Sequence, residues 1–319
     1  MELTALPQKK QQKNFKAPLK TSLKRHSSLE KIDYKYGYFF ILPMLIGFTI
    51  FVIAPLIATI YLSFCDYSLI KGMSWCGMKN YIKLFTNDPT FVVAVKNTLY
   101  FTVLLIPSNL VLCLGLAMLL HKNIKGVGFF RTAIFTPYVT NIVSWALVWK
   151  FMLQSDGGFI NMLLNAFGLE GTNWLYTTNL VIPIVVLVTL LKGFGMNTII
   201  FIGALQEVAP MYYEAASLDG ASKRQQFWHI TLPMISPTIF LIIIITMIGS
   251  LKVFAQVNVL TQGGPGTASY VLVYYIYQVA FKMNKFGYGS AISVVLFVVI
   301  MGLTLLQWSV RKKWVYYED

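Results

Sequence analysis

Apolar residues come in long runs separated by short charged punctuation, and one interval in the C-terminal two thirds breaks that rhythm. Charge-bounded runs lie at about 37–63, 97–120, 132–153, 180–203, 233–250 and 287–310. Each approaches or exceeds the ~20 mostly apolar residues a helix needs to cross a bilayer. The pattern predicts an all-α polytopic membrane protein with six transmembrane helices. Between 253 and 281 no residue is charged, yet Gly263, Gly264 and Pro265 impose a sharp turn. The apolar remainder, YVLVYYIYQVAF, is too short to span. A re-entrant or interfacial helix fits it best, and an ordinary outer loop with a helix resting on the membrane is the alternative.

The interruption is YYEAASLDGASKRQQFWHITLP, residues 212–233. Read with its flanks, 209–232 predicts two short helices joined at a turn. Pro210 opens the first, because its missing N–H costs nothing at a helix start. Glu214, Ala215 and Ala216 continue it with small side chains. Asp219-Gly220 breaks it at a residue that tolerates positive φ. Ala221–Thr231 then form the second helix, with Phe227, Trp228 and Ile230 on a face able to return to the bundle, before Leu232-Pro233 starts span five. A reconnection of about five residues would suffice between two membrane helices. Two readings of the extra length stand: an amphipathic helix on the inner leaflet, or a docking element whose small-residue face fits a partner's cleft.

Composition changes the picture only in degree. Of 319 residues, 56% are hydrophobic and 12% charged, with mean hydropathy +0.64. A soluble domain carries about 25% charged residues. The net charge of +14 is placed for a membrane and not for nucleic acid: nine of the 26 Lys and Arg fall in residues 1–35, and the rest sit mainly at the ends of apolar runs. That basic tail, 1–35, is expected to be disordered and cytosolic. Lys122, Lys125 and Arg131, then Lys223 and Arg224, then Arg311, Lys312 and Lys313 fall on the same side, which puts both termini and the 209–232 loop in the cytosol. The outer loop 154–179 has Asp156 and Glu170 and no base; loop 66–96 is mixed. Cys65, Cys76 and Cys113 form no CxxC pair, and His26, His121 and His229 have no ligand spacing, so no metal site is expected.

Candidate chemistry is sparse. No Gly-x-x-x-x-Gly-Lys-Ser/Thr occurs, so the chain has no phosphate loop of its own. No nucleophile–base pair is evident, and the chain is not expected to be an enzyme. No Asp or Glu lies within the spans, which argues against an ion-coupled secondary transporter. Polar groups at bilayer depth mark a candidate substrate pathway: Lys192, Gly193 and Asn197 in span four, Thr246 and Ser250 one turn apart in span five, and Phe254 just beyond. Lys192 is either a cavity-facing base or a lysine paired with carbonyls. Thr and Ser in membrane helices commonly bond their own backbone.

The spacing Glu214-Ala215-Ala216, Gly220, Ile230, Leu232-Pro233 resembles the EAA signature of ABC importer permeases, EAA-x3-G-x9-I-x-LP, at all seven positions. FFILPMLIGFTIFVIAPLIATIYLSF, CGMKNYIKLF, FVVAVKNTLYFTV, FFRTAIFTPYVTNIVSWALVWKFML, GALQEVAPMYYEAA and VNVLTQGGPGTAS are similar to blocks of that family's carbohydrate branch, the maltose and multiple-sugar permeases. The resemblance covers 36–314, the expected permease domain; VAP stands where IP is usual, and Cys76-Gly77 where an apolar-Gly pair is common. It implies a multi-pass permease in a bacterial inner membrane, importing a sugar or oligosaccharide. An anionic cargo such as glycerol phosphate or an acidic sugar is the alternative. It also implies that 209–232 is a coupling helix seated in a groove of a cytosolic ATPase dimer, with Glu214 making a charged contact, Ala215 and Ala216 keeping it close, and Asp219-Gly220 allowing the bend. ATP and Mg would be bound by that partner and no cofactor by this chain. The implied assembly adds a second permease and an extracytoplasmic solute-binding protein, received by SWCGMKNY and 154–179.

Overall fold

The computed structural model describes residues 28–70, 72–122 and 125–316. Most of the expected basic tail, residues 1–27, lies outside the described residues. The chain divides into two units, 1–56 and 57–319. In the first, α1 (Ser28–Phe48) already includes residues 28–35, which were expected to be disordered. It continues through a wide turn, Thr49–Ile53, into α2 (Ala54–Ser63). Tyr36–Ser63 is apolar on every face, with Phe39, Phe40 and Phe51 each at least 70% exposed. An all-round apolar surface suits lipid and not water.

In the second unit a two-stranded hairpin, β1 (Cys65–Ser68) and β2 (Gly72–Trp75), precedes α3 (Lys79–Thr86) and the long α4 (Pro89–Leu120). Asp88 starts α4: one carboxylate oxygen accepts from Phe91 N at 2.9 Å, and the other accepts from the hydroxyls of Tyr275 and Tyr288 at 2.5 Å each. Burial, then the neighbouring Asp88 carboxylate, holds the Tyr275 hydroxyl far above its ordinary range, so it stays a donor. The buried stripe of α4 follows helical spacing through Ala94, Thr98, Leu105, Asn109, Cys113 and Ala117. Its members belong to all three buried clusters of the unit or sit against them, which makes α4 the central helix.

The expected third span is two helices, α5 (Val127–Val139) and α6 (Ile142–Met152). The reason is local. Thr140 is extended, and the Asn141 side chain accepts from Val143 N at 2.8 Å and Ser144 N at 3.4 Å, the behaviour of a helix-starting asparagine. After a short α7 (Phe159–Ala166), α8 (Val181–Glu207) packs against α4 and α5. Gly195 permits this: a Cβ there would lie 2.0 Å from the Ile134 carbonyl oxygen.

Beyond the loop helices α9 (Pro210–Leu218) and α10 (Lys223–Gln226), a wide turn leads into α11 (Leu232–Met234). The stretch Lys223–Met234 meets α12 (Ser236–Leu251) at 65°. The segment after it holds α13 (Ala255–Leu260), a turn with a cis Gly264–Pro265 bond, and α14 (Leu272–Tyr277), prolonged to Lys282. It is built into the bundle. Asn97 of α4 donates to the carbonyls of Ala268 and Tyr270 at 3.0 Å, Leu272 N donates to Thr98 Oγ1 at 2.9 Å, and Tyr274 is 2% exposed. α15 (Phe286–Val310) closes the unit. The described chain is predominantly helical. Four helices are long and apolar enough to cross a membrane, or five if the bent pair counts as one. Cys65, Cys76 and Cys113 are free thiols.

Candidate functional site: the polar loop and the cavity above it

The 209–232 loop folds as two helices about a turn. Ala209 is extended and Pro210 takes the first helical position. At the far end Gly220 adopts φ +79°, donates to the Ser217 carbonyl at 3.2 Å, and lets Ala221 N reach the Ala216 carbonyl at 2.8 Å. This closure needs a residue free of a Cβ in the left-handed region. Ser222 then starts α10, with its hydroxyl and Gln225 bonding each other's backbone N–H groups.

The two helices are latched by residues that the sequence reading passed over. Gln226 is 3% exposed; its amide donates to Ser217 Oγ at 2.9 Å and to the Ala221 carbonyl at 3.3 Å. Tyr213 and Thr231 share a hydroxyl–hydroxyl bond at 3.0 Å. Tyr213 and Ser217 stand one turn apart on the first helix, whereas Gln226 and Thr231, five residues apart, share a side only through the wide turn Phe227–Thr231, so no α-helical spacing points at that pair. Trp228, expected to return to the bundle, is 58% exposed instead, because Gln226 and Thr231 take the inward face.

The motif residues divide in two. Glu214, Ala215, Asp219 and Gly220 are exposed, with Ala216 half-buried, and Leu218 between them is 90% exposed. Ile230 and Leu232 pack against the buried cluster of Phe201, Ile202, Leu205 and Ile235, while Pro233 is half-buried where the chain turns into the bundle. One half of the loop is offered outward, and the other is tied to α8 and α12.

Five of the six expected pathway residues line one cavity of about 340 Å³: Lys192, Gly193, Asn197, Thr246 and Ser250. Phe254 is not among its lining residues; it packs against Tyr277 and Tyr274, with ring centroids 5.2 and 6.4 Å away. The lining also includes Asn109, Tyr138 and Gln256, which the sequence reading did not single out. Asn109 was legible as the one amide on the buried stripe of α4.

The polar groups of this cavity differ in how far the protein already satisfies them. Lys192 Nζ donates to the carbonyls of Pro137, Tyr138 and Thr140 at 2.8, 2.9 and 2.8 Å. Of the two readings open for it, the geometry is that of the carbonyl-paired lysine: an ammonium has three donors, and all three serve the break between α5 and α6. Thr189 bonds back to the Val185 carbonyl at 2.7 Å, and the Ser250 hydroxyl lies 2.9 Å from Thr102 Oγ1 and 2.8 Å from the Met247 carbonyl. Asn197 Nδ2 donates to Asn109 Oδ1 across α8 and α4 at 2.9 Å. Thr246 stands apart: its hydroxyl is buried and has no partner among the described residues. A hydroxyl left so is costly unless something else bonds it. A Cβ added at Gly193 meets nothing within 4 Å, so the cavity is open there.

Residues 89–313 match the family described as binding-protein-dependent transport system inner membrane component. The chain belongs to this family. Among curated relatives of this inner membrane component, the probable ABC transporter permease protein YurN of Bacillus subtilis is 35% identical over 275 residues, 85% of this chain and 94% of that one. The arabinooligosaccharides transport system permease protein AraP of the same organism is 32% identical, covering 84% of this chain and 86% of its own. The multiple sugar-binding transport system permease protein MsmF of Streptococcus mutans is 32% identical, covering 90% and 99%. Among solved structures, a chain of a bacterial ABC transporter involved in import of the acidic polysaccharide alginate superposes with TM-score 0.78 at 28% identity, over 89% of this chain and 96% of that one. A chain of the alginate transporter in complex with a pentasaccharide-bound periplasmic protein gives 0.80 at 25%, over 91% and 98%. The protein is thus a multi-pass permease subunit of an ABC importer and not an enzyme: ATP is hydrolysed by a separate ATPase.

Proposed function

We propose that this permease subunit passes a sugar or oligosaccharide, delivered by an extracytoplasmic binding protein, through the cavity between α4, α8 and α12, driven by an ATPase that grips the 209–232 loop. The observation carrying this reading is the division of that loop: Glu214, Ala215, Leu218 and Asp219 face outward, while Ile230 and Leu232 pack into the bundle that lines the cavity. A push on the outer half has a mechanical route through α11 and the 65° bend into α12, which bears Thr246 and Ser250. The curated relatives' names, arabinooligosaccharide and multiple-sugar transport, support a carbohydrate cargo. So does the lining: the Asn109–Asn197 pair suits hydroxyls, whereas Lys192, which would attract an anion, is already engaged by three carbonyls.

The same reading takes six crossings, with α5 and α6 as one broken span and α11–α12 as another, and both termini in the cytosol. Lys192 supports the broken span, since it satisfies carbonyls that would otherwise be left unpaired in hydrocarbon. The partners are a second permease with its own EAA loop, an ATPase dimer carrying ATP and Mg, and a binding protein at 74–81 and at 154–179.

The test is gentle purification of the tagged protein from its native membrane, with mass spectrometry of what accompanies it. A second permease and a phosphate-loop ATPase are expected, with the ATPase lost on replacing Glu214 and Gly220. Wild-type protein recovered intact and alone would overturn the docking reading and leave the loop as a helix lying on lipid.

A further inference from the structure

Beneath the coupling loop lies a cavity of about 470 Å³, separate from the transport cavity, with which it shares no lining residue. Its basic lining groups are His121, Lys122 and Lys223, and no carboxylate is among its lining residues. Met118, Leu205 and Phe227 supply an apolar wall. The volume falls within the ~300–1,000 Å³ usual for small-molecule pockets. Such a chamber suits an anion attached to an apolar body. Two fixed lysine charges match a phosphodiester better than a carboxylate, and apolar groups beside them suit the glycerol and first methylenes of a lipid. Basic pockets of this kind at the cytoplasmic ends of membrane helices take anionic headgroups.

We infer that this cavity binds the phosphate-bearing headgroup of an anionic phospholipid. The ligand would bridge the end of α4, through His121 and Lys122, to the coupling loop, through Lys223 and Phe227. Lys223 Nζ also donates to Gln226 Oε1 at 3.2 Å, so the headgroup would act on the side chain that latches the loop. Occupancy would then stiffen the joint through which the ATPase acts. The cytosolic leaflet is assigned from the orientation proposed above; the site itself does not depend on it.

The test uses the full chain in maltoside, stripped of native lipid. Native mass spectrometry reads retention of added dioleoylphosphatidylglycerol against dioleoylphosphatidylcholine, and a parallel arm adds inorganic phosphate alone and reads the melting temperature. The variants are K122Q, the double K122Q/K223Q, and K79Q/K83Q at the other end of the bundle as an equal-charge control. With about 1 kcal/mol per lysine near a charged headgroup, the double variant is expected to bind phosphatidylglycerol roughly thirtyfold more weakly and K122Q about fivefold, the control being unchanged. K122Q keeps the test open should the double variant fold poorly, because Lys122 lies outside the loop helices. Stabilisation by inorganic phosphate alone, lost in K122Q, would support the site while assigning it to a soluble phosphate. Equal retention of the two lipids, or equal loss in K79Q/K83Q, would overturn it. Because no ATPase is present, either result is independent of the partner-capture experiment.

Discussion

Lys192 and Thr246 line the same cavity and have opposite duties. Lys192→Met should leave the carbonyls of Tyr138 and Thr140 without their donor, while Pro137 keeps the Thr140 hydroxyl at 2.7 Å, at about 1–3 kcal/mol for each that stays buried. We expect the melting temperature of the detergent-solubilised protein to fall by several degrees; an unchanged temperature would return Lys192 to a role toward cargo. Thr246→Val removes a hydroxyl that bonds nothing in the protein. Stability should hold or rise, as read by the melting temperature, and sugar affinity in proteoliposomes should be unchanged, since that oxygen has no accessible surface; a loss of about tenfold in affinity would show that α12 turns the hydroxyl into the cavity during transport. Gly193→Leu meets open space and should block uptake without unfolding the protein. A lysine near mid-span is conspicuous in any sequence, but its partners come from 52 to 55 residues away, at a helix break hidden inside an apolar run. Thr246 and Thr189 look alike in sequence; only packing decides that one bonds its own helix and the other does not.

At the scale of elements, the turn signals were the most legible. Pro210, Gly220 and Ser222 act locally, and each sits where its own chemistry requires. Gly220→Ala forces a Cβ into the left-handed region, a cost of about 1–2 kcal/mol. Faster amide hydrogen exchange confined to 209–222, with the global melting temperature little changed, is the expected signature. The latch was not legible, since a glutamine in a polar stretch reads as solvated until a second helix folds over it. Gln226→Leu should leave the Ala221 carbonyl without its side-chain donor and Ser217 with only its bond to the Tyr213 carbonyl, loosen α9 against α10, and lower sugar-stimulated ATP hydrolysis in the assembled importer while basal hydrolysis by the ATPase persists. Equal stimulation in the variant and the wild type would count against the latch. The third span illustrates the opposite case: hydropathy alone joins 132–153 into one apolar helix although Pro137 and Thr140-Asn141 lie inside it, and the Asn141 side-chain cap breaks it there.

For the whole molecule, the sequence carried family, membrane class and the position of the two-helix polar loop, because these rest on long apolar runs and on one motif of fixed spacing. What it did not carry was the convergence of α4, α8 and α12 on a common cavity, which depends on contacts between residues far apart in sequence. The central claim is that the outward half of 209–232 is the surface gripped by the ATPase. A photo-crosslinking amino acid at position 218, whose leucine is 90% exposed at the tip of the loop, tests it most directly in native membranes. We predict an adduct with a phosphate-loop ATPase that weakens or shifts when ATP is trapped, and none from a control probe at position 69 in the hairpin at the opposite end. Adducts from position 218 to lipid alone, or ATPase adducts equally strong from position 69, would contradict it.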